Sequence, residues 1–400
     1  MEMWKNCTLA DLGEVVGGAT PSTKVKENYD GGTIPWITPK DLAGFQGRFI
    51  SRGERNITEQ GLRSCSTQIM PKDTVLFSSR APIGYVAIAK TELCTNQGFK
   101  SIVPNANTDP LFLYYLLVYN KDRIENMGVG TTFKEVSATT MRGIPVRVPT
   151  SVSHQKHIAN TLSMLDERIE CNLAINKNLL QQLNAIFKYW FTDNPQLEAM
   201  TQVPLDDLCL IVTKGTTPTT LGKSFVSAGI NFIKAESILN SHAIDRNKFT
   251  FIDEETNDLL KRSIICPRDI VFTIAGTLGR FALIDDSVLP ANTNQAVAII
   301  RANPKKVMPE YLYSFFLGNW HNDYYTKCIQ QAVQANLSLG TIKSLPIPVL
   351  TNRFMTEYLE IIRPIITMTK SNELEITRLE TMRDSLLPQL ISGQLDVSDL

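Results

Sequence analysis

From about Gln155 onward, apolar side chains recur every seven positions. One series runs Leu162, Ile169, Asn176, Leu183 and Trp190; a second runs Leu165, Asn172, Leu179 and Ile186. Two interleaved series of this kind form the seam of a coiled coil. The spacing predicts a helix over about 156–191, roughly 54 Å long at about 1.5 Å per residue. The same pattern returns near the C-terminus. There Ile361, Met368, Glu375 and Met382 interleave with Ile365, Asn372, Leu379 and Leu386. Pro364 should begin or kink this second helix, and Pro388 should end it ahead of Gly393. The three asparagines and the glutamate are costly in a seam, where polar residues commonly set register and partner rather than add stability. Two such helices in one chain can pair antiparallel.

Ahead of each helix the pattern is shorter. Val75-Leu76-Phe77 and Tyr85-Val86-Ala87-Ile88 read as strands around the turn-like Arg80-Ala81-Pro82-Ile83-Gly84. Pro110 to Leu117 reads as an apolar helix opened by proline, and Pro309 to Phe316 is its counterpart. Strands, then a helix, then further strands indicate an α+β domain.

These correspondences extend along the whole chain. Gly18-Ala19-Thr20-Pro21-Ser22 returns as Gly215-Thr216-Thr217-Pro218-Thr219, and Ile34-Pro35-Trp36-Ile37 as Ile230-Asn231-Phe232-Ile233. Val75-Leu76-Phe77 returns as Val271-Phe272-Thr273, Thr95-Asn96-Gln97 as Thr293-Asn294-Gln295, and Ile144-Pro145-Val146 in the run Leu345 to Val349. The offset drifts only from 196 to 201 positions, so the unit is duplicated. The expected fold is therefore α+β: two repeated globular domains, 1–150 and 196–350, separated by two long antiparallel coiled-coil helices within 151–195 and 351–400.

Composition adds limits. The chain has 400 residues and a 43% apolar share, enough for two or three domains with their own cores. There is no N-terminal signal pattern and no apolar run long enough for a bilayer, so the expected location is the cytoplasm, with no membrane partner. Seven scattered cysteines without C-x-x-C spacing argue for reduced thiols rather than disulfides or zinc. Forty basic side chains balance forty acidic ones. By segment, 1–150 holds 17 basic against 14 acidic groups, whereas 351–400 holds 5 against 8. Contacts to nucleic acid must then come from local clusters in the globular domains.

No catalytic signature stands out. There is no phosphate loop, no dinucleotide fingerprint, no nucleophile elbow and no methyltransferase Asn-Pro-Pro-aromatic motif. His154-x-x-His157 lacks a partner at ligand spacing and reads as a helix start. Ala275-Gly276-Thr277-Leu278-Gly279 reads as a hairpin turn. The polar candidates lie at repeat-equivalent turns. In the first copy they are Thr20, Ser22, Lys24, Ser79, Arg80, Lys100, Thr131, Thr132 and Lys134; in the second, Thr217, Thr219, Lys234, Arg280, Gln334 and Asn336. Arginine reads guanine edges, Asn and Gln read adenine, and Ser or Thr bind phosphate or base. The competing reading is that these residues form turns. Asn96-Gln97 and Asn294-Gln295 recur in both copies, which favours a shared structural job such as capping backbone.

The ordered set of motifs resembles the DNA-specificity subunit of a type I restriction–modification system. The carrying residues are Gly18 to Ser22, Ile34 to Leu42, Ala81 to Ile88, Thr95 to Phe99 and Gly143 to Val146, with helix ends Ala185 to Phe191 and Leu386 to Leu395. The run Pro149 to Gln155 departs from the family's usual Glu-Gln, and Thr351 to Met355 lacks that motif altogether. The resemblance implies two target recognition domains, each reading one half of a split, asymmetric site in double-stranded DNA. It implies spacer helices that set the gap and dock two adenine methyltransferase subunits, with S-adenosylmethionine bound by those partners and none in this chain. It also implies a motor–nuclease restriction subunit, and a chain that catalyses nothing and holds no metal. Two alternatives stand beside it: the recognition portion of a fused restriction–methylation enzyme, and a coiled-coil scaffold that does not touch DNA.

Overall fold

Both copies share a four-strand order in the main sheet, to which the first adds a fifth, parallel strand. The computed structural model describes residues 4–45, 47–80, 82–130, 134–193, 200–330 and 337–397. The chain divides into two units, Met1–Leu173 with Glu375–Leu400, and Ala174–Leu374.

In the first unit a five-stranded sheet runs in the order Gly13–Gly17, Lys100–Pro104, Val75–Ser79, Ile83–Ala89, Phe49–Ile50. Its neighbours are antiparallel except the last pair. Beside it, Ile34–Ile37 pairs antiparallel with Arg55–Ile57 and parallel with Cys94–Thr95. Trp4–Thr8 and Pro145–Pro149 close a two-stranded ribbon. The helix Pro110–Tyr119 is capped by Asp109, whose Oδ1 accepts from the Phe112 amide at 2.9 Å; proline in the first turn loses no hydrogen bond. The helix buries Phe112, Leu113, Leu116 and Leu117 against Phe77 and Ile88. That core also takes in Ile158 and Leu162 from one long helix, and Leu387, Leu390 and Ile391 from the other.

The second unit repeats the plan. Its sheet runs Cys209–Lys214, Val297–Ala302, Ile270–Thr273, Phe281–Leu283, all antiparallel. Ile230–Ile233 again pairs antiparallel on one side, with Thr250–Ile252, and parallel on the other, with Ala291–Thr293. Its core is more aromatic: Phe191 lies 4.8 Å from Phe315 and 5.1 Å from Tyr358, ring centre to ring centre. Gly318 is needed there, because a Cβ would fall 2.3 Å from the Phe187 ring.

The first long helix is Val152–Phe191 and the second Asn352–Ser392. Gln155 is buried and pins the start of the first: its amide donates to the Asn107 and Pro149 carbonyls, and its Oε1 accepts from the Asp109 amide at 2.9 Å. Within each unit the helices run antiparallel. In the first unit Arg383 meets Asp166 at 2.9 Å while Asn172 and Arg168 both donate to Glu375. In the second, Asn372 donates to Asn176 at 2.7 Å and Asn176 to the Thr369 carbonyl. The four polar seam residues thus satisfy one another, which removes most of the burial penalty an unpaired amide would carry.

The second helix departs from expectation in two ways. It starts at Asn352 rather than at Pro364, runs through that residue, and continues past Pro388. Pro364 is exposed, whereas Tyr358, Leu359, Ile362 and Ile366 on the buried face join the aromatic core. That burial outweighs the lost hydrogen bond, a cost of about 3 kcal/mol. Gly393, at φ +76°, then ends the helix. Of the two expected series in this helix, Ile365, Asn372, Leu379 and Leu386 are half-buried, whereas Ile361, Met368 and Met382 face solvent, at 43%, 53% and 42% exposure. In the first helix Leu162, Ile169, Asn172 and Leu183 are buried, and Leu165, Asn176, Leu179, Ile186 and Trp190 half-buried, as the seam requires.

Candidate nucleic-acid interface

One end of each main sheet gathers the polar candidates. In the first unit Gly17 pairs with Lys100 and Ser79 with Ile83. The turn after Gly17, the turn after Ser79 and the start of Lys100–Pro104 therefore share one rim. Gly18 sits there because a Cβ would lie 2.1 Å from the Thr95 carbonyl oxygen; Gly215 repeats this at 1.8 Å from Thr293. The approach lets Thr20 donate to the Gln97 side-chain oxygen, and Thr217 donates to Gln295 in the second copy. Trp36 Nε1 and the Tyr29 hydroxyl donate to the carbonyls of Ala19 and Pro21, holding the first turn open. Asn96 and Asn294 accept from the backbone amides two residues on, at 2.9 and 3.0 Å. Their shared job is turn capping.

The remaining candidates divide by exposure. Thr20, Ser22, Lys24 and Lys134 are exposed in the first unit, as is Thr219 in the second. Ser79 is not on the surface: it is fully buried and its hydroxyl donates to the Gly98 carbonyl. Small size and a strand end explain its burial better than ligand contact. Arg80 and Lys100 converge on Glu135, at 3.7 and 3.3 Å. In the second unit Lys234 lies 4.8 Å over the Phe225 ring, and Arg280 donates to the Ile238 carbonyl at 3.1 Å. Both hold their own loops and remain half-exposed. Thr131, Thr132, Gln334 and Asn336 lie outside the described residues.

Sequence reasoning missed Glu135, because a lone glutamate beside Lys134 carries no pattern. It also missed a buried charged cluster joining the first domain to its helices. Arg48, 4% exposed, donates to Glu170 at 3.0 Å and to Ser163 at 2.6 Å. The Tyr115 hydroxyl donates to Asp166 at 2.5 Å. Burial works against the Arg48 charge, yet the Glu170 hydrogen bond and surrounding negative groups overcome it and raise its pKa. Burial and the Asp166 carboxylate push the Tyr115 hydroxyl well up, keeping it a donor. Among the described residues there is no cluster of His, Cys, Asp and Glu able to hold a metal, and no helix long and apolar enough to cross a membrane.

Comparison with known proteins assigns these features to a family. The family described as Type I restriction modification DNA specificity domain matches residues 1–184 and again 198–375. The chain is 32% identical to the type I restriction enzyme MjaIX specificity subunit of Methanocaldococcus jannaschii, over 99% of this chain and 94% of that one. It is 24% identical to the HindI specificity subunit of Haemophilus influenzae, over 99% of this chain and 100% of that one. A crystal structure of a type I restriction–modification S subunit from M. genitalium shares the fold at a TM-score of 0.61 and 16% identity, covering 97% of this chain and 96% of that one. With the match falling on both halves and a relative aligned along nearly its full length, the chain belongs to the type I restriction–modification specificity family.

Proposed function

We propose that this chain is the sequence-reading subunit of a type I restriction–modification complex. Residues 1–150 and 196–350 are the two recognition domains, each reading one half of a bipartite asymmetric site in double-stranded DNA. Residues 151–195 and 351–400 are the spacer helices and tail, which set the gap and dock two adenine methyltransferase subunits. Those partners bind S-adenosylmethionine, and motor–nuclease subunits complete restriction; this chain supplies no catalytic group.

The observation that carries the reading is the repeated rim. Both copies build it with the same close glycine approach and the same Thr–Gln contact. They then place different side chains on it: Arg80 and Lys100 in the first, Lys234 and Arg280 in the second. A shared scaffold with divergent polar tips suits two related but distinct base-edge readers. Single-molecule sequencing of host DNA tests this. A methylated-adenine motif in two separated halves, lost on deletion of this chain, is the expected result. An unchanged methylome after deletion would leave a scaffold without a role in DNA recognition. The purified chain alone should transfer no methyl group to DNA; turnover by it would restore the fused-enzyme alternative.

A further inference from the structure

The first domain carries a three-membered charge cluster whose counterpart positions in the second copy are uncharged in sequence. Glu135 receives Lys100 at 3.3 Å and stands 3.7 Å from Arg80. Its backbone is tied in as well: Glu135 and Val129 exchange amide–carbonyl bonds of 3.0 Å, and the Val136 amide donates to the Ser79 carbonyl at 2.9 Å. The carboxylate is therefore a built part of the rim. Lys100 is mostly covered, at 13% exposure, while Arg80 and Glu135 remain open at 36% and 40%.

Backbone pairing identifies the counterparts and corrects the sequence match of this strand by one position: Val75 lies opposite Ile102 as Ile270, not Val271, lies opposite Ile300. Ser79 and Ile274 both donate an amide to the turn after the Asn-Gln pair, and both accept one, from Val136 and Leu337 respectively. Gly17 opposite Lys100 corresponds to Lys214 opposite Ala298. In sequence, Arg80, Lys100 and Glu135 thus face Ala275, Ala298 and Asn336. Both cations and the anion have been exchanged together, as expected of groups that work together.

We propose that Glu135 is a specificity-determining residue of the first half-site, resting on the functional reading above. In the free chain it holds Arg80 and Lys100 and offsets one of their two charges. When a duplex closes on the rim, phosphates and most base edges present acceptors, and these repel the carboxylate. Burying it without a donor is costly. In the major groove only the cytosine N4 and adenine N6 amino groups can supply that donor. Glu135 therefore admits a base bearing an amino group and penalises binding through phosphates alone. Arg80, released in the same step, faces the acceptor edge of a neighbouring or paired guanine.

The test uses the full chain assembled with its methyltransferase partner. Binding is measured to the methylome-defined site, to a duplex with only its first half scrambled, and to one with only its second half scrambled, over about 50 to 200 mM salt. Glu135→Gln keeps the shape and removes the charge; Glu135→Asn installs the second domain's residue. Both variants should bind the first-half-scrambled duplex about tenfold more tightly, with the salt slope steeper by roughly one neutralised phosphate. Affinity for the intact site should change less than about threefold, and discrimination at the second half should not change. Unaltered first-half discrimination in both variants would overturn the inference. A wild-type complex that fails to distinguish any of the three duplexes would instead overturn the functional reading, and this inference with it.

Discussion

The second unit should lose stability in mild acid through two histidines, one buried and one half-buried. His321 is 2% exposed, and its ring meets Phe281 edge-on at 5.6 Å; His242 stacks on the Phe281 ring at 4.0 Å. The Nδ1 atom of each lacks a hydrogen-bond partner among the described residues. Burial, then the positive charge of Lys370, pushes His242 down to about 4 from the ordinary 6.5. Burial also pushes His321 down to about 4, with His242 adding to the effect. Unfolding returns each imidazole to water, where it takes a proton near 6.5. Between these values the unfolded chain binds more protons, so stability is full above about pH 6.5 and falls as pH drops toward 4. At pH 5 the difference is about 2 kcal/mol for each histidine. Hydrogen exchange followed by mass spectrometry at pH 7 and pH 5, corrected for intrinsic exchange rates, reads this domain by domain. Amides of Ile270–Thr273 and Pro309–Leu317 should lose protection at pH 5, and His321→Phe should recover about half of the loss. If wild type and His321→Phe lose the same protection between the two pH values, the two imidazoles are not the cause.

Two further outcomes follow from the same contacts. Arg48→Met should destabilise the first unit by about 2 kcal/mol in a urea titration, since it leaves the Glu170 carboxylate without its main donor; a midpoint within error of wild type would make the cluster decorative. Because Asn176 pairs with Asn372, seven residues inserted after Lys177 and seven after Lys370 keep the seam in phase and lengthen each helix by about 10 Å. The methylated half-sites should then stay the same while the gap between them grows by about three base pairs, at roughly 3.4 Å each. Methylation at the original spacing by the lengthened variant would show that the helices do not measure the gap.

Much of the architecture was legible in the chain. Recurrence at a nearly constant offset forces two similar domains, because the same strand, turn and helix signals return in the same order. Pro110 after Asp109 announces a helix start that needs no distant partner. The heptad series from Leu162 to Trp190 marks a buried seam because a seven-residue repeat keeps one stripe on one side. Such signals act within a few residues of themselves, or as a period, and the sequence alone determined them.

Other features were decided only when distant segments met. Pro364 looks like a breaker until Tyr358, Ile362 and Ile366 are seen buried in the second domain's core, whose packing holds the helix through it. Met368 and Met382 fit a heptad as well as their neighbours do, and only the folded chain leaves them exposed while burying Ile362 and Ile366 in the second domain's core. Ser79 looked like a surface hydroxyl until the Gly98 carbonyl claimed it. Glu135 joins Arg80 and Lys100 from 55 and 35 positions away. Charge pairing across such separations leaves no period and no local motif, because Coulomb attraction depends on where the backbone carries each group and not on spacing along the chain.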